Sequence, residues 1–389
     1  MPTDSSTPSI QQHPFSPHPV TVRVAAIDCG TNSIRLLIAD VTPAGSAMMS
    51  GSTEGATPSP VRARIRDVVR EMRIVRLGQG VDATGNFVPE ALERTFRACR
   101  EYAQLISYYK PQAVRFIATS ATRDAQNRSE FIAGIEDILG VRPEVISGEE
   151  EASLSFAGAV SALSATDIAS LQDSSAPQTL VMDIGGGSTE FVVGNAVGGA
   201  AEVAAAISMD IGCVRLTERH LHSDPPLYTE CIAAKSTIAD ELRSAASRID
   251  FSTVEAVIGV AGTVTTMTAA ILGLDEYDST RIHGSSYTAD EVHTACEAMF
   301  QLPREERAQL GYMHPGRIDV IGGGALIFSE AISYIFDHFQ SKALSDRGTN
   351  HVPRLLTSEA DILDGTVLAL ATALDAPSTA EPVHRNNPM

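Results

Sequence analysis

The spacing of apolar residues divides the chain into short strand-like runs and longer helix-like ones. Val24–Asp28 and Ile34–Ala39 are apolar runs of strand length, and Met72–Leu77 alternates weakly as a third strand. Pro89 opens a helix whose apolar positions Leu92, Phe96, Cys99, Ala103 and Ile106 recur at helical spacing. Val114–Ala118 predicts a strand. Phe131, Ile132, Ile135, Ile138 and Leu139 predict a helix stopped by Gly140, and Pro143–Ile146 predicts a last strand. The second half then begins again. Leu180–Asp183 and Phe191–Val193 flank a Gly-rich turn, with Ala204–Met209 as the third strand. Helices are predicted near Val214–His220 and Leu227–Arg248, a strand at Ala256–Val260, and helices near Thr263–Leu272, Ala289–Phe300 and Asp319–Phe336. A short strand, Leu355–Thr357, precedes a final helix. Ser, Thr, Pro and Gln dominate residues 1–20, and residues 375–389 read the same way, as disordered tails. Residues 42–60 read as a mobile loop and 161–178 as a linker. The expected domains are therefore 21–160 and 179–374, with the last helix a candidate to pack back on the first domain.

The two halves share residues as well as an order. Residues 25–38 read A-A-I-D-C-G-T-N-S-I-R-L-L-I, and residues 180–193 read L-V-M-D-I-G-G-G-S-T-E-F-V-V. Both fit three apolar residues, then D-x-G-x-x-S, then apolar residues again. A strand–turn–strand repeated one domain length apart points to a duplicated domain with a cleft between the copies. Gly30 and Gly185–Gly187 would give such turns backbone angles closed to other residues, so that several N–H groups converge on an anion. Ser33 and Ser188 add hydroxyl donors. An Asp ending the first strand, Asp28 or Asp183, would repel a bare phosphate and makes sense if it holds Mg²⁺.

Composition narrows the partners. The chain has 389 residues, too many for one ordinary core, and an ordinary globular mixture of 43% apolar and 20% charged residues. Acidic residues outnumber basic ones 48 to 29, for a net charge of −19. That argues against nucleic acid or an anionic membrane as a partner held by a general positive field, but leaves room for an anion in a local site. Six arginines crowd into Arg62–Arg76, either a track for a long polyanion or a solvated hairpin face. The five cysteines form no C-x-x-C pair, so neither a disulfide framework nor structural zinc is expected. Cys29 and Cys213 adjoin the turn motifs and read as small buried residues. With no apolar run of membrane length and no secretory signal at the start, the cytoplasm is the expected location.

These motifs together carry a resemblance. A-I-D-C-G-T-N-S at 26–33, A-T-S-A-T-R-D-A-x-N at 118–127, V-I-S-G-E-E-E-A at 145–152, V-M-D-I-G-G-G-S-T-E at 181–190, D-I-G-C-V-R-L at 210–216 and G-V-A-G-T at 259–263 resemble the exopolyphosphatase/guanosine-pentaphosphatase family. The resemblance spans roughly residues 22–372. It implies an α/β fold, with two ribonuclease H-like (actin-like ATPase) domains flanking an interdomain cleft. D-I-G-C-V-R-L-T-E-R-H-L-H-S-D-P-P and S-E-A-D-I-L-D-G at 358–365 resemble the short actinobacterial branch, without the C-terminal domain of longer members. The implied activity is Mg²⁺- or Mn²⁺-dependent hydrolysis of the terminal phosphoanhydride of inorganic polyphosphate, releasing orthophosphate. Guanosine pentaphosphate is the nearest alternative substrate. An actin-like kinase and a nucleotide-binding regulator without turnover are the rivals from other classes. A homodimer is a candidate assembly.

The resemblance also assigns residues. Ser147-Gly148-Glu149-Glu150 fits a capping box, with Ser147 as N-cap and Glu150 at N3, which leaves Glu151 without a structural task. Glu151 matches the family's catalytic glutamate, the group that would activate water. Asp183 and Glu190, on either side of the Gly turn, would serve one metal ion. Asp28 is the symmetry mate of Asp183, but Arg35 stands where Glu190 would, so a second equivalent metal site is not expected. Gly30, Thr31, Asn32, Ser33, Gly185, Gly186, Gly187 and Ser188 would bind phosphate, joined by Arg123. Gly262 and Thr263, after a strand and at a helix start, look like the third phosphate loop. Gly322–Gly324 read as close backbone packing. His220, His222 and Asp224 imitate metal-ligand spacing but lack an evident fourth ligand.

Overall fold

A computed structural model describes residues 21–43, 63–163, 178–197, 200–346 and 354–375. The two tails, nearly all of the 42–60 loop, Arg62 and most of the 161–178 linker lie outside the described residues.

The first sheet holds β1 (Val22–Cys29), β2 (Ser33–Thr42), β3 (Arg64–Ile74), β4 (Ala113–Ala118) and β5 (Glu144–Val145) in the order β3-β2-β1-β4-β5. β1, β2 and β3 are antiparallel neighbours, while β4 and β5 run parallel to β1. The second sheet holds β6 (Thr179–Ile184), β7 (Thr189–Val197), β8 (Ala200–Met209), β9 (Ala256–Val260), β10 (Ser286–Thr288) and β11 (Arg354–Thr357), ordered β10-β11-β9-β6-β7-β8. Its β8-β7-β6-β9-β11 part repeats the first sheet strand for strand. The helices are α1 (Val81–Thr84), α2 (Pro89–Tyr109), α3 (Ser120–Asp124), α4 (Arg128–Leu139), α5 (Gly148–Ala162), α6 (Cys213–His220), α7 (Tyr228–Ala246), α8 (Ala261–Ile271), α9 (Ser279–Ile282), α10 (Ala289–Gln301), α11 (Arg304–Arg307), α12 (Ile321–Asp346) and α13 (Ile362–Asp375). This is the doubled ribonuclease H-like arrangement that the motifs imply.

The sequence places most elements within a few residues, and the departures have physical reasons. β3 runs Arg64–Ile74 rather than Met72–Leu77, because it is an edge strand with few buried positions and so little apolar signal. β10, three residues at the other sheet's edge, gives no pattern at all. Gly140 closes α4 in the left-handed region, at φ 67°, as its position predicts.

Two helices tie the halves together. α5 follows the first sheet but packs on the second, with Ala152, Phe156 and Ala159 against Val181, Val192 and Ile258. α13 ends the second half but covers the first sheet, with Leu363, Val367 and Ala371 against Val24, Leu37 and Ala39. The two helices cross at Gly158 and Gly365. A Cβ on Gly158 would run into the Asp361 carbonyl, and one on Gly365 into the Leu154 carbonyl. Backbone thus meets backbone at the joint.

Candidate active site

The repeat builds both walls of a cleft, open to solvent, between the sheets. In each copy the turn after the first strand is closed by the same bond: Gly30 N–H donates to Ser33 O and Gly185 N–H to Ser188 O, both at 3.0 Å. The carbonyls of each turn are then taken by the segment that follows the third strand. Asn32 O accepts from Val75 N and Arg76 N, and Thr31 O accepts from Gly78 N. Gly185 O accepts from Cys213 N, and Gly186 O from Val214 N and Arg215 N. Because a trans peptide points its N–H opposite its carbonyl, anchoring the carbonyls aims the amides the other way. Thr31, Asn32, Ser33, Gly185, Gly186 and Ser188 all line the cleft. The turn glycines do not have the left-handed angles that the sequence suggests, since none of them has a positive φ. Gly186 and Gly187 instead allow close approach: a Cβ on either would meet Thr31 across the cleft. The two turns are in contact, so the cleft is closed over its floor.

Strand register sets the carboxylates. Asp183 lies directly opposite Glu190, and Asp28 opposite Arg35, so each pair shares one face of its hairpin. Glu151 comes from the first turn of α5, one residue after the capping interaction. All three of Glu151, Asp183 and Glu190 are buried. Burial pushes the Asp183 carboxyl up to about 7, helped by the neighbouring Asp361, while Ser155 Oγ donates to Asp183 Oδ2 at 2.6 Å and partly offsets this. Glu190 is raised well above the ordinary range by burial, then by Glu151 and Asp183. Its Oε1 accepts from Ser208 Oγ at 2.7 Å. Glu151 is also raised by burial, against the pull of Arg123, whose Nη1 donates to Glu151 Oε2 at 2.6 Å. Arg123 therefore holds the glutamate, and through it reaches the cleft.

Asp28 has a different partner from the metal suggested by its place in the repeat. Arg35 Nη2 donates to Asp28 Oδ2 at 2.7 Å, and Arg35 Nη1 pairs with Asp361. The Arg at the Glu190-equivalent position thus replaces a cation with a guanidinium. Glu150 supplies only half of the expected capping box: Ser147 Oγ accepts from Glu150 N at 3.1 Å, but the Glu150 carboxylate pairs with Arg115.

Gly262 and Thr263 line the cleft at the start of α8, and Ala261 before them has φ 68°, a left-handed conformation that costs an Ala energy. Gly324, at the start of α12, packs on Thr263, where a Cβ would lie 2.7 Å from Thr263 Cγ2. Here sequence reasoning missed Arg317. Its guanidinium lies on the face of Gly262 that a side chain would fill, donates to Thr266 Oγ1 at 3.2 Å, and lines the cleft. Burial lowers its pKa, the mark of a cation short of compensating charge. The P-G-R turn before an apolar Gly-rich helix was the available signal. Asn32 Oδ1, on the same cleft, is buried with no partner among the described residues, which leaves an acceptor for a ligand.

Other candidates stay apart. Arg66 pairs with Asp40, Arg70 with Asp67 and Asp364, Arg73 with Glu71 and Glu101, and Arg76 with Asp319. Among the described residues, four arginines of the basic stretch, Arg66, Arg70, Arg73 and Arg76, are thus paired with carboxylates, while Arg64 is exposed. His220 bonds Thr237, and Asp224 accepts from Arg304 N, so His220, His222 and Asp224 form no metal site. Cys29 and Cys213 are buried and free.

Among the described residues no three of His, Cys, Asp and Glu stand close enough to make a ready metal cage. The donor set nevertheless suits a hard divalent cation. Asp183 and Glu190 are oxygen donors on one strand pair, desolvated and mutually repelling, with serine hydroxyls bonded to them. Among the described residues, no helix is long and apolar enough to cross a membrane.

Comparison with known proteins agrees with this geometry. The Ppx/GppA phosphatase family matches residues 58–350. Exopolyphosphatase 2 of Mycobacterium tuberculosis is 44% identical over 354 residues, covering 90% of this chain and 98% of that protein. A bifunctional 3-dehydroquinate synthase/phosphatase of Fusobacterium nucleatum is 32% identical over 88% of this chain but 46% of its own length. Among solved structures, an exopolyphosphatase-like protein gives a TM-score of 0.78 at 42% identity, covering 91% of this chain and all of that one. An Aquifex aeolicus Ppx/GppA family member gives 0.67 at 26%, covering 92% of this chain and all of that one. With the doubled fold, the family match over residues 58–350 and the 44% identity to the Mycobacterium protein, this chain belongs to the Ppx/GppA phosphatase family.

Proposed function

We propose that this protein is an exopolyphosphatase, hydrolysing the terminal phosphoanhydride of inorganic polyphosphate. The observation that carries the reading is Glu151, a buried carboxylate held by Arg123 and set beside Asp183 between two amide-lined turns. The name of the Mycobacterium relative supports the choice of polyphosphate. The terminal phosphoryl group rests between the turns, where the N–H groups of Asn32 and Gly186 donate to its oxygens, with Ser33, Ser188 and Thr263 as hydroxyl donors. Arg317 adds charge from the third loop. Glu151, raised in pKa, takes a proton from a water that attacks the terminal phosphorus in line. The P–O bond to the rest of the chain breaks, and orthophosphate and a polyphosphate shorter by one unit leave. Mg²⁺ or Mn²⁺, held by Asp183 and Glu190, would supply charge neutralisation at the phosphoryl oxygens. Most of the rate then comes from positioning and electrostatic stabilisation.

Guanosine pentaphosphate offers the same terminal bond, so the catalytic residues do not discriminate against it. Phosphate release measured in parallel on polyphosphate, guanosine pentaphosphate and ATP tests the reading. The highest kcat/KM is expected on polyphosphate; a higher value on guanosine pentaphosphate would overturn the substrate assignment.

A further inference from the structure

The second glycine turn has a third carbonyl, and a side chain holds it. The first turn of α6 supplies backbone N–H groups to Gly185 O and Gly186 O. Arg215 Nε donates to the next one, Gly187 O, at 2.7 Å. With three successive carbonyls anchored on one side, the three following amides are turned to the other. The same guanidinium reaches the first domain, where Nη1 donates to Asp82 Oδ1 at 3.1 Å and Nη2 pairs with Asp124. One turn further along α6, Arg219 Nε donates to Asp82 Oδ2 at 2.6 Å, and the Glu218 carboxylate accepts from Gly80 N–H at 3.3 Å. Asp124 directly follows Arg123, the residue that holds Glu151. The Arg215 side chain is only 11% exposed and is not among the groups lining the cleft, so it acts on other groups rather than on substrate.

We propose that Arg215 is a positioning residue: it fixes the anion-binding shape of the second glycine turn and, through Asp82 and Asp124, locks that turn against the first domain. This rests on the phosphate-cleft reading above. A full fork is needed because three acceptors in different directions share one guanidinium, which an ammonium cannot match. Two functions separate by mutation. Asp82→Asn with Asp124→Asn weakens the lock but leaves the bond to Gly187; Arg215→Gln removes both.

The test is steady-state phosphate release from polyphosphate, with thermal melting and solution scattering of the same proteins. Asp82→Asn/Asp124→Asn is expected to raise KM at least fivefold with kcat within twofold, and to increase the radius of gyration. Arg215→Gln is expected to lower kcat about tenfold as well, and Arg215→Lys to recover less than threefold of that loss despite its retained charge. A KM within twofold of wild type in the double Asp variant would overturn the lock. An unchanged kcat in Arg215→Gln, or full recovery in Arg215→Lys, would overturn the shaping of the turn. If the wild type releases no phosphate from polyphosphate, the hydrolase reading fails by itself. The lock then stands or falls on whether the double Asp variant expands in scattering.

Discussion

Asp183 and Glu190 face each other across β6 and β7 with their carboxyls pushed up in pKa, so the protein holds its own charges at a cost. The sign of the consequence is fixed. Asp183 has a folded pKa of about 7 against about 3.9 when unfolded. Between those values the folded state binds more protons, so stability of the cation-free protein falls as pH rises from about 4 to about 7. Thermal melts in chelator are expected to show a lower Tm at pH 8 than at pH 5, with the slope reduced in Asp183→Asn. Added Mg²⁺ should raise the Tm at pH 8 and do so less in Asp183→Asn. A pH slope identical in wild type and variant would reject this account. The same pair predicts that activity is lost in excess chelator, and that Asp183→Asn and Glu190→Gln each raise the Mg²⁺ concentration needed for half-maximal rate. Full turnover in chelator would contradict it.

Some residues were legible in the sequence and others were not, and distance along the chain explains the division. The two D-x-G-x-x-S turns were readable because a strand, a turn and a strand are local, and because the duplication states them twice. Arg35 was legible only as a departure from the Glu190 position, and Asp361 and Arg317 were not, since their partners lie far along the chain; Arg35 and Asp361 are 326 residues apart. The arginines from Arg66 to Arg76 misled for the same reason. They are contiguous and suggest a patch, while the carboxylates that occupy them, among them Asp40, Glu101, Asp319 and Asp364, come from four other places. Their pairing changes the expected phenotype. Arg73→Ala with Arg76→Ala should alter KM for long and short polyphosphates by the same factor. A selective loss on long chains, mimicked by added salt, would restore the track.

At the scale of elements, the joint between α5 and α13 matters most. α5 begins on the catalytic side with Glu151 and lies on the second sheet; α13 begins with Asp361 contacts and lies on the first. Their contact is backbone on backbone at Gly158 and Gly365, so neither helix has room to give for a methyl group. Gly158→Ala and Gly365→Ala are each expected to destabilise by roughly 1–3 kcal/mol, the usual cost of overpacking. Urea unfolding checks this, and midpoints equal to wild type would show that the helices part freely. The sequence marked α5 through its N-terminal acids and α13 through its apolar run. It made α13 a candidate to pack on the first domain, but did not show which sheet α5 covers, because both sheets offer similar Val-, Ile- and Leu-rich faces.

At the scale of the whole molecule, the proposed function asks an acidic protein to bind a polyanion, which it would do by confining positive potential to one cleft. The amides of two symmetric turns, Arg317 and a divalent cation would supply that potential, while most other arginines near the cleft are committed to carboxylates. In the proposed reading, this arrangement positions a phosphoryl group for Glu151 to act beside it. The measurement that tests it most directly is the turnover of Glu151→Gln on polyphosphate with saturating Mg²⁺, alongside polyphosphate binding by the same variant. Binding within about threefold of wild type is expected, with kcat lowered by roughly 10²–10⁴, the usual worth of a general base. Turnover within a few-fold of wild type would remove Glu151 from the chemistry and contradict the account at its centre.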